Sequence, residues 1–392
     1  MRALLTLMDR PDRRMTVVLI AGTKGKGSTA AFLASILHSA GVRAGLFTSP
    51  HLQVFRERLR IDGAMLSAVE FELAIAGLRP IVARLRRAHP TAGDPTTYEL
   101  TLALALRTFA DRGCRVAVIE VGLGGRLDAS NALDPALSVL TPVSRDHTAI
   151  LGRSLASIAT EKAGIVRPGR PALVALQRPT ALAAIRRACR AAGADLELVR
   201  PLGVRTELAL TGDHQRQNAA LAIAAARALT AGGLAIPEPA HADGLRRAAW
   251  PARFERVGER PTVILDGAHN DESAIGLART LGAELRRRHL VLVFGINTDK
   301  DILAVLRPLT NIASTVIATS SNDPRAVPSE DVASSARRVT RAPVEVAPDV
   351  DAALAAARER AGSDGLVCVT GSLALAGEAR TALGLHAPEH LW

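Results

Sequence analysis

Short, strongly apolar runs alternate with longer Ala- and Leu-rich stretches along most of the chain. Val17 to Ala21, Arg43 to Phe47, Val116 to Val121 and Leu137 to Thr141 are too short for helices and rich in branched side chains, so they read as buried strands. Ser28 to Ala40, halted at Gly41, and Thr97 to Arg112 carry helical composition between them. This alternation predicts an α/β fold, a mostly parallel sheet covered by helices. The rhythm breaks near Trp250 to Arg260, where WPARFERVGERP mixes Pro, Gly and charge without a period. It restarts with strands at Thr262 to Leu265, Leu290 to Phe294, Val316 to Thr319 and Leu366 to Thr370, and a helix over Ser273 to Arg287. Two domains are expected, a larger one over 1–254 and a smaller, Rossmann-like α/β one over 255–392.

Each strand of the first half runs into a polar or glycine-rich loop, the place where open α/β sheets bind ligands. The turn Gly22-Thr23-Lys24-Gly25-Lys26-Gly27-Ser28-Thr29, between strand and helix, has the make-up of a phosphate loop. Its glycines let backbone N–H groups curl round phosphate oxygens, and the helix that follows directs its positive end at them. Lys26 would reach the terminal phosphates, and Ser28 or Thr29 would serve Mg²⁺. The strict G-x-x-x-x-G-K-[S/T] pattern is not met, because Ile20 and Gly27 stand where Gly and Ser/Thr are required. The alternative is a glycine-rich turn with no ligand.

Four further segments should gather at the same sheet edge: Phe47 to Leu52, Glu120 with Gly122 to Asp128, Asp146-His147, and Glu161 to Gly164 on a helix. A carboxylate ending a strand beside a phosphate loop is where a Mg²⁺ ligand belongs, since Mg²⁺ takes hard oxygen donors. Glu120 is therefore the first metal candidate, with a salt bridge to Arg126 or a helix cap as its bland alternative. His147 and Lys162 taken singly read as an ordinary histidine and an ordinary helix lysine.

Composition narrows the function. The net charge of +11 suits polyanions, but aromatic residues are only 3% and the basic residues come as short clusters such as Arg286-Arg287-Arg288 on expected solvated helix faces. That leaves no stacking platform for nucleic acid, whereas nucleotide phosphates and a polycarboxylate explain the sign. Cys114, Cys189 and Cys368 are far apart and form no CxxC pair, which points to a reducing cytoplasm. No uninterrupted apolar stretch has membrane-spanning length.

The segments GTKGKGST, FTSPHL, ERLRIDG, TTYELTLALAL, VIEVGLGGRLDASN, DHTAILG, EKAGI, GDHQRQNAALA, WPARFE, LDGAHN, TDKD and TGSLALAGEAR, taken in this order, resemble the folylpolyglutamate synthase/dihydrofolate synthase branch of the Mur ligase superfamily. The resemblance implies a Mur ligase-like fold and an ATP-dependent ligase joining L-glutamate to dihydropteroate or a reduced folate through an acyl phosphate. It assigns the ATP phosphates to Lys26 and its loop (Gly22, Thr23, Gly25, Gly27, Ser28, Thr29), one Mg²⁺ to Ser49 and Glu120, and a second to Glu120 and His147. Lys162 matches a lysine that carries a CO₂-derived carbamate. Gln215 and Asn218 match residues facing the nucleotide, and Arg253 an arginine reaching the phosphates across the cleft. Asp266, His269 and Ser372 fall where the second domain meets nucleotide and amino acid, and His51 on the acceptor side. Lys26, Lys162, Arg253 and His269 are the implied catalytic set. The family's usual state is monomeric.

Several positions depart from the family pattern. Lys24 stands where Asn is usual, Ala252 where Gly is usual, and Pro142 to Arg145 replace a smaller turn. Only 16 residues precede Val17, fewer than the helical lead usual in relatives. Two rival readings remain. A Mur-type ligase for a peptidoglycan acid would bring an additional N-terminal domain. A nucleotide-controlled switch would need a base reader of NKxD type, and Asn297-Thr298-Asp299-Lys300 has those letters in the wrong order.

Overall fold

Alternate side chains of β1 (Thr16–Ala21) enter different cores: Val17, Leu19 and Ala21 pack on one face of the sheet, Val18 and Ile20 on the other. A strand buried on both faces belongs in the middle of a helix-covered sheet. In the structure, a computed structural model that describes residues 1–91, 93–285 and 288–392, β1 occupies that place. The first sheet also contains β2 (Ala44–Phe47), β3 (Leu59–Ile61), β4 (Ala64–Met65), β5 (Val116–Glu120), β6 (Leu137–Leu140), β7 (Pro171–Ala175) and β8 (Asp195–Val199). Their order is β4-β3-β2-β5-β1-β6-β7-β8; β2, β5, β1, β6, β7 and β8 are parallel, β3 is antiparallel to β2 and β4 antiparallel to β3.

The second sheet holds β9 (Glu255–Val257), β10 (Thr262–Leu265), β11 (Leu290–Phe294), β12 (Thr315–Ala318), β13 (Val344–Val346) and β14 (Leu366–Thr370), in the order β13-β12-β11-β14-β10-β9. Only β9 is antiparallel. Each sheet separates two apolar cores.

The helix expected from Ser28 begins at Lys26, because Gly25 turns the chain at φ +83° and serves as its N-cap. The helix placed over Ser273 to Arg287 is described as Asp271–Leu285; Arg286 and Arg287 lie outside the described residues. The sequence reading did not single out β7, β8 or the helices Ala68–Ala88, Pro179–Ala192 and Asp213–Ala231. Among the described residues no helix is long and apolar enough to cross a membrane.

After the final helix, Leu373–Ala382, the chain crosses back to the first sheet. Met65 donates to the Glu389 carbonyl at 2.9 Å, Ala64 bridges His390, and Leu391 is buried in a first-sheet core.

Candidate active site

Four neighbouring strands, β2, β5, β1 and β6, end side by side and deliver the loops at 48–54, 120–128, 22–25 and 141–147. The C-terminal ends of β10 and β14 face them with the loops at 266–270 and 371–372. One cleft is lined from both sides, by Gly27, Ser49, His51 and Glu120 of the first sheet's loops and by Arg253 and Leu373.

The phosphate loop is shaped for a ligand. Gly22 (φ +147°) and Gly25 (φ +83°) lie in conformations that side chains rarely adopt, and a Cβ on Gly25 would sit 2.1 Å from Asn218 Oδ1. No side chain caps the helix at Lys26–Ser39, so its first-turn N–H groups remain available to an anion. The Thr29 hydroxyl, on a fully buried residue, has no protein partner. Gln215 and Asn218 are buried beside the loop and bonded to each other at 2.9 Å, and Trp250 covers Gly27.

Glu120, 6% exposed, lies between two cationic or donor groups. Its carboxylate is 3.7 Å from Lys26 Nζ and accepts from the Ser49 N–H at 3.2 Å. Burial pushes the Glu120 carboxyl up, against the pull of Lys26. Among the described residues no three His, Cys, Asp or Glu side chains converge into a metal cluster. A sparse set of one carboxylate, one serine and one imidazole suits Mg²⁺, which keeps water and phosphate oxygens as its remaining ligands. The His147 imidazole, 45% exposed, stands 3.8 Å from Asp146 Oδ1. Among the described residues no hydrogen bond joins it to Glu120.

Lys162 is 5% exposed, and its Nζ donates to the Gly22 carbonyl at 2.8 Å. Burial, then the charge of Lys26, lower its pKa to about 7, so a large share of the amine is uncharged at neutral pH. His269 is pushed down to about 4, chiefly by burial. Its Nδ1 is 2.8 Å from the Gly267 carbonyl, which can only accept; the neutral ring therefore carries its proton on Nδ1 and leaves the Nε2 lone pair free. His51 Nδ1 accepts from Arg58 Nε at 3.0 Å, and burial followed by the Arg58 charge lowers its pKa.

Three expected residues spend their polar atoms on local structure. Asp266 accepts from the N–H groups of Phe254 (2.8 Å) and Ala268 (2.9 Å), fixing the turn that presents Arg253. Arg253 Nη1 donates to the Ala252 carbonyl at 2.9 Å. Ser372 caps the helix Leu373–Ala382 through the Leu375 N–H at 3.0 Å.

Sequence reasoning assigned no role to Asp146, which the structure makes a junction. Its carboxylate meets Lys24 of the phosphate loop at 3.2 Å, Lys300 at 3.6 Å and the Asn270 amide at 3.1 Å. Lys300 and Asn270 belong to the second half of the chain, so one carboxylate ties the two sheets' loops together. The DHTAILG and TDKD segments were the available signal, but nothing in either indicates that they meet.

A central phosphate loop with a second α/β sheet closing over it is the architecture of Mur ligases. The Mur ligase middle-domain profile matches residues 20–194, and that of the Mur ligase glutamate ligase domain matches residues 252–373. Dihydrofolate synthase/folylpolyglutamate synthase of Bacillus subtilis is 34% identical over 408 residues, covering 98% of this chain and 94% of that one. A crystal structure of Mycobacterium tuberculosis folylpolyglutamate synthase complexed with ADP and AMPPCP superimposes with a TM-score of 0.92 at 32% identity, covering 98% and 95% of the two chains. Bifunctional folylpolyglutamate synthase/dihydrofolate synthase of Yersinia pestis, complexed with AMPPNP and Mn ion, gives a TM-score of 0.86 at 29% identity, covering 98% and 92%. The chain belongs to the dihydrofolate synthase/folylpolyglutamate synthase family of Mur ligases.

Proposed function

We propose that this protein joins L-glutamate to the carboxylate of a folate-type acceptor, dihydropteroate or a reduced folate, with ATP as the energy source. The observation that carries the reading is the arrangement around Glu120: a phosphate loop, a buried carboxylate and the Ser49–His51 loop lie on adjacent strand ends, across a cleft from Arg253 and Leu373. Residues 1–254 bind ATP and present the acceptor-side loops, and residues 255–392 bring in glutamate.

A carboxylate is a poor electrophile. Its oxygen first attacks the γ-phosphorus of ATP, giving an acyl phosphate and ADP; the glutamate amine then attacks the acyl carbon and inorganic phosphate leaves with the C–O electrons. Lys26 turns from Glu120 to the transferring phosphoryl group, and Arg253 meets it from the other side of the cleft, so positive charge is in place where negative charge gathers. Ser49, Glu120 and His147 would hold Mg²⁺, which would neutralise phosphate charge. Gln215 and Asn218 border the nucleotide, and Asp266 holds Arg253 in place.

The uncharged amine of Lys162 adds CO₂ and releases a proton, and the carbamate so formed replaces a buried cation by an anion beside the phosphate loop. The glutamate ammonium gives up its proton to solvent before it attacks; His269, at a pKa of about 4 too weak a base to take that proton, accepts a hydrogen bond from the amine on Nε2 and aims it at the acyl carbon. His51 orients the acceptor, and Ser372 holds the helix end that borders glutamate. Trp250 and Leu373 line the cleft and keep out water that would hydrolyse the acyl phosphate. Three buried, unpaired cysteines and an ATP-dependent reaction suit a cytoplasmic enzyme.

The test is glutamate-dependent ADP release with Mg²⁺-ATP and each of dihydropteroate, tetrahydrofolate and no acceptor. Release with both pterins shows two activities and release with one shows which. Release with neither, in a protein that still binds ATP, sinks the folate reading.

A further inference from the structure

The loop that carries Ser49 and His51 is fastened from two directions. From within, the Glu57 carboxylate accepts from the N–H groups of Leu52 (3.1 Å), Gln53 (2.8 Å) and Val54 (2.7 Å). From without, it is gripped by the second half of the chain. The helix Leu373–Ala382 lies so close that a Cβ on Gly377 would fall 2.3 Å from the Leu52 carbonyl oxygen. The Gln53 amide donates to Thr381 Oγ1 at 3.0 Å and to the Leu385 carbonyl at 2.8 Å.

Arg380 is the centre of this grip. It is 5% exposed, and its Nε donates to Gln53 Oε1 at 3.0 Å. The same guanidinium pairs with Glu255 and donates to the His386 carbonyl at 3.1 Å. Glu255 in turn accepts from the Ala252 N–H at 2.8 Å, next to Arg253. One rigid, planar fork therefore joins the 48–54 loop, the turn that presents Arg253, and the returning tail. The tail is anchored on the far side by Arg60, 2% exposed, which donates to the Pro388 carbonyl at 2.9 Å. None of the Arg380 hydrogen bonds reaches Gly22 to Thr29.

We propose that Arg380 is a positioning residue that couples docking of the second domain to the shape of the Ser49–His51 loop. The metal and acceptor side of the site is completed only when the second domain is in place, while the Arg380 fork leaves the phosphate loop, which meets that domain through Asp146, untouched. The inference deepens the ligase reading and rests on it.

The test compares Arg380→Ala, Arg380→Lys and Gln53→Ala with the wild-type full chain by hydrogen exchange, AMPPNP binding and steady-state kinetics. Protection of the Leu52, Gln53 and Val54 amides is expected to fall about ten-fold in Arg380→Ala and Gln53→Ala. AMPPNP affinity should stay within about two-fold, while half-saturation by Mg²⁺ or acceptor rises about ten-fold. Arg380→Lys keeps the charge but loses the fork, and should resemble Arg380→Ala more than wild type. Unchanged loop protection overturns the proposal, as does AMPPNP affinity falling in step with acceptor affinity. Gln53 is a partly exposed loop residue, so Gln53→Ala keeps the test decisive if Arg380→Ala does not fold. Absence of ligation by the wild type refutes the ligase reading alone, since loop protection and AMPPNP binding still decide the coupling.

Discussion

The Lys162 amine nitrogen lies 2.8 Å from the carbonyl oxygen of Gly22, pinning a crossover helix to the first residue of the phosphate loop. The contact keeps the amine aimed at the loop, and burial keeps much of it uncharged.

That arrangement predicts a pH dependence of stability. The folded pKa of Lys162 is about 7, below the ordinary 10.5, so between those values the unfolded chain holds more protons than the folded one. The group's penalty is in full force below about pH 7 and is relieved as the pH rises. In CO₂-free buffer the wild type should therefore gain thermal stability relative to Lys162→Met between pH 7 and pH 9, as read by calorimetry. Equal slopes for the two proteins would contradict the buried, depressed amine. Bicarbonate should raise the activity of the wild type and leave Lys162→Met inactive.

Glu120→Gln should lower kcat by about a hundred-fold and raise the Mg²⁺ concentration needed for half-maximal rate. Folding should be nearly unaffected, because the amide oxygen still accepts from the Ser49 N–H and a buried charge has been removed. A Mg²⁺ titration of ADP release together with a melting curve separates the two effects. Wild-type Mg²⁺ dependence would remove Glu120 from the metal site.

Asp146 predicts an asymmetry between partners. Burial pushes its carboxyl up, but Lys24 and Lys300 hold it well below the usual carboxylate range. Asp146→Ala strands Lys24 and the Asn270 amide in a mostly buried site, while Lys300 keeps Asp299 at 3.0 Å, and should cost about 2–4 kcal/mol in a denaturant titration. Lys24→Asn leaves Lys300 and Asn270 on the carboxylate and should cost less than about 1 kcal/mol. Equal losses would mean that Lys24 alone carries the junction.

Gly25→Ala places a side chain at φ +83° with its Cβ 2.1 Å from Asn218 Oδ1. Nucleotide binding should weaken by about a hundred-fold or more, since the loop must shift for the chain to fold at all. Isothermal titration with AMPPNP reads the loss directly, and retained affinity would show that the loop does not hold the phosphates.

The division between what the chain's letters reveal and what they hide is physical. The strands at 262–265, 290–294 and 366–370 are legible to the residue, because a strand buried on both faces leaves an unbroken apolar run between polar ends. The phosphate loop is legible because its glycines and lysine lie within a few positions of one another. β8 is not, because Asp195 and Glu197 interrupt its apolar run at the sheet's edge. The junction at Asp146 and the fork at Arg380 are also hidden. Their partners lie 122 and 327 positions away in sequence, at Lys24 and Gln53, and no local period registers such a meeting. Arg380 stands inside TGSLALAGEAR, yet only the fold shows what it holds.

The return of residues 386–392 to the first sheet sets an order of events during synthesis. The ribosome releases the segment from Met1 to Val199 long before Arg380, Pro388 and Leu391 exist, so the first sheet can form while the chain is still growing. The loop bearing Ser49 and His51 must then wait for residues 377–391 to be made. A nascent or prematurely terminated chain would hold a nucleotide without a finished place for the second substrate, and so would be spared from spending ATP on acids it cannot complete.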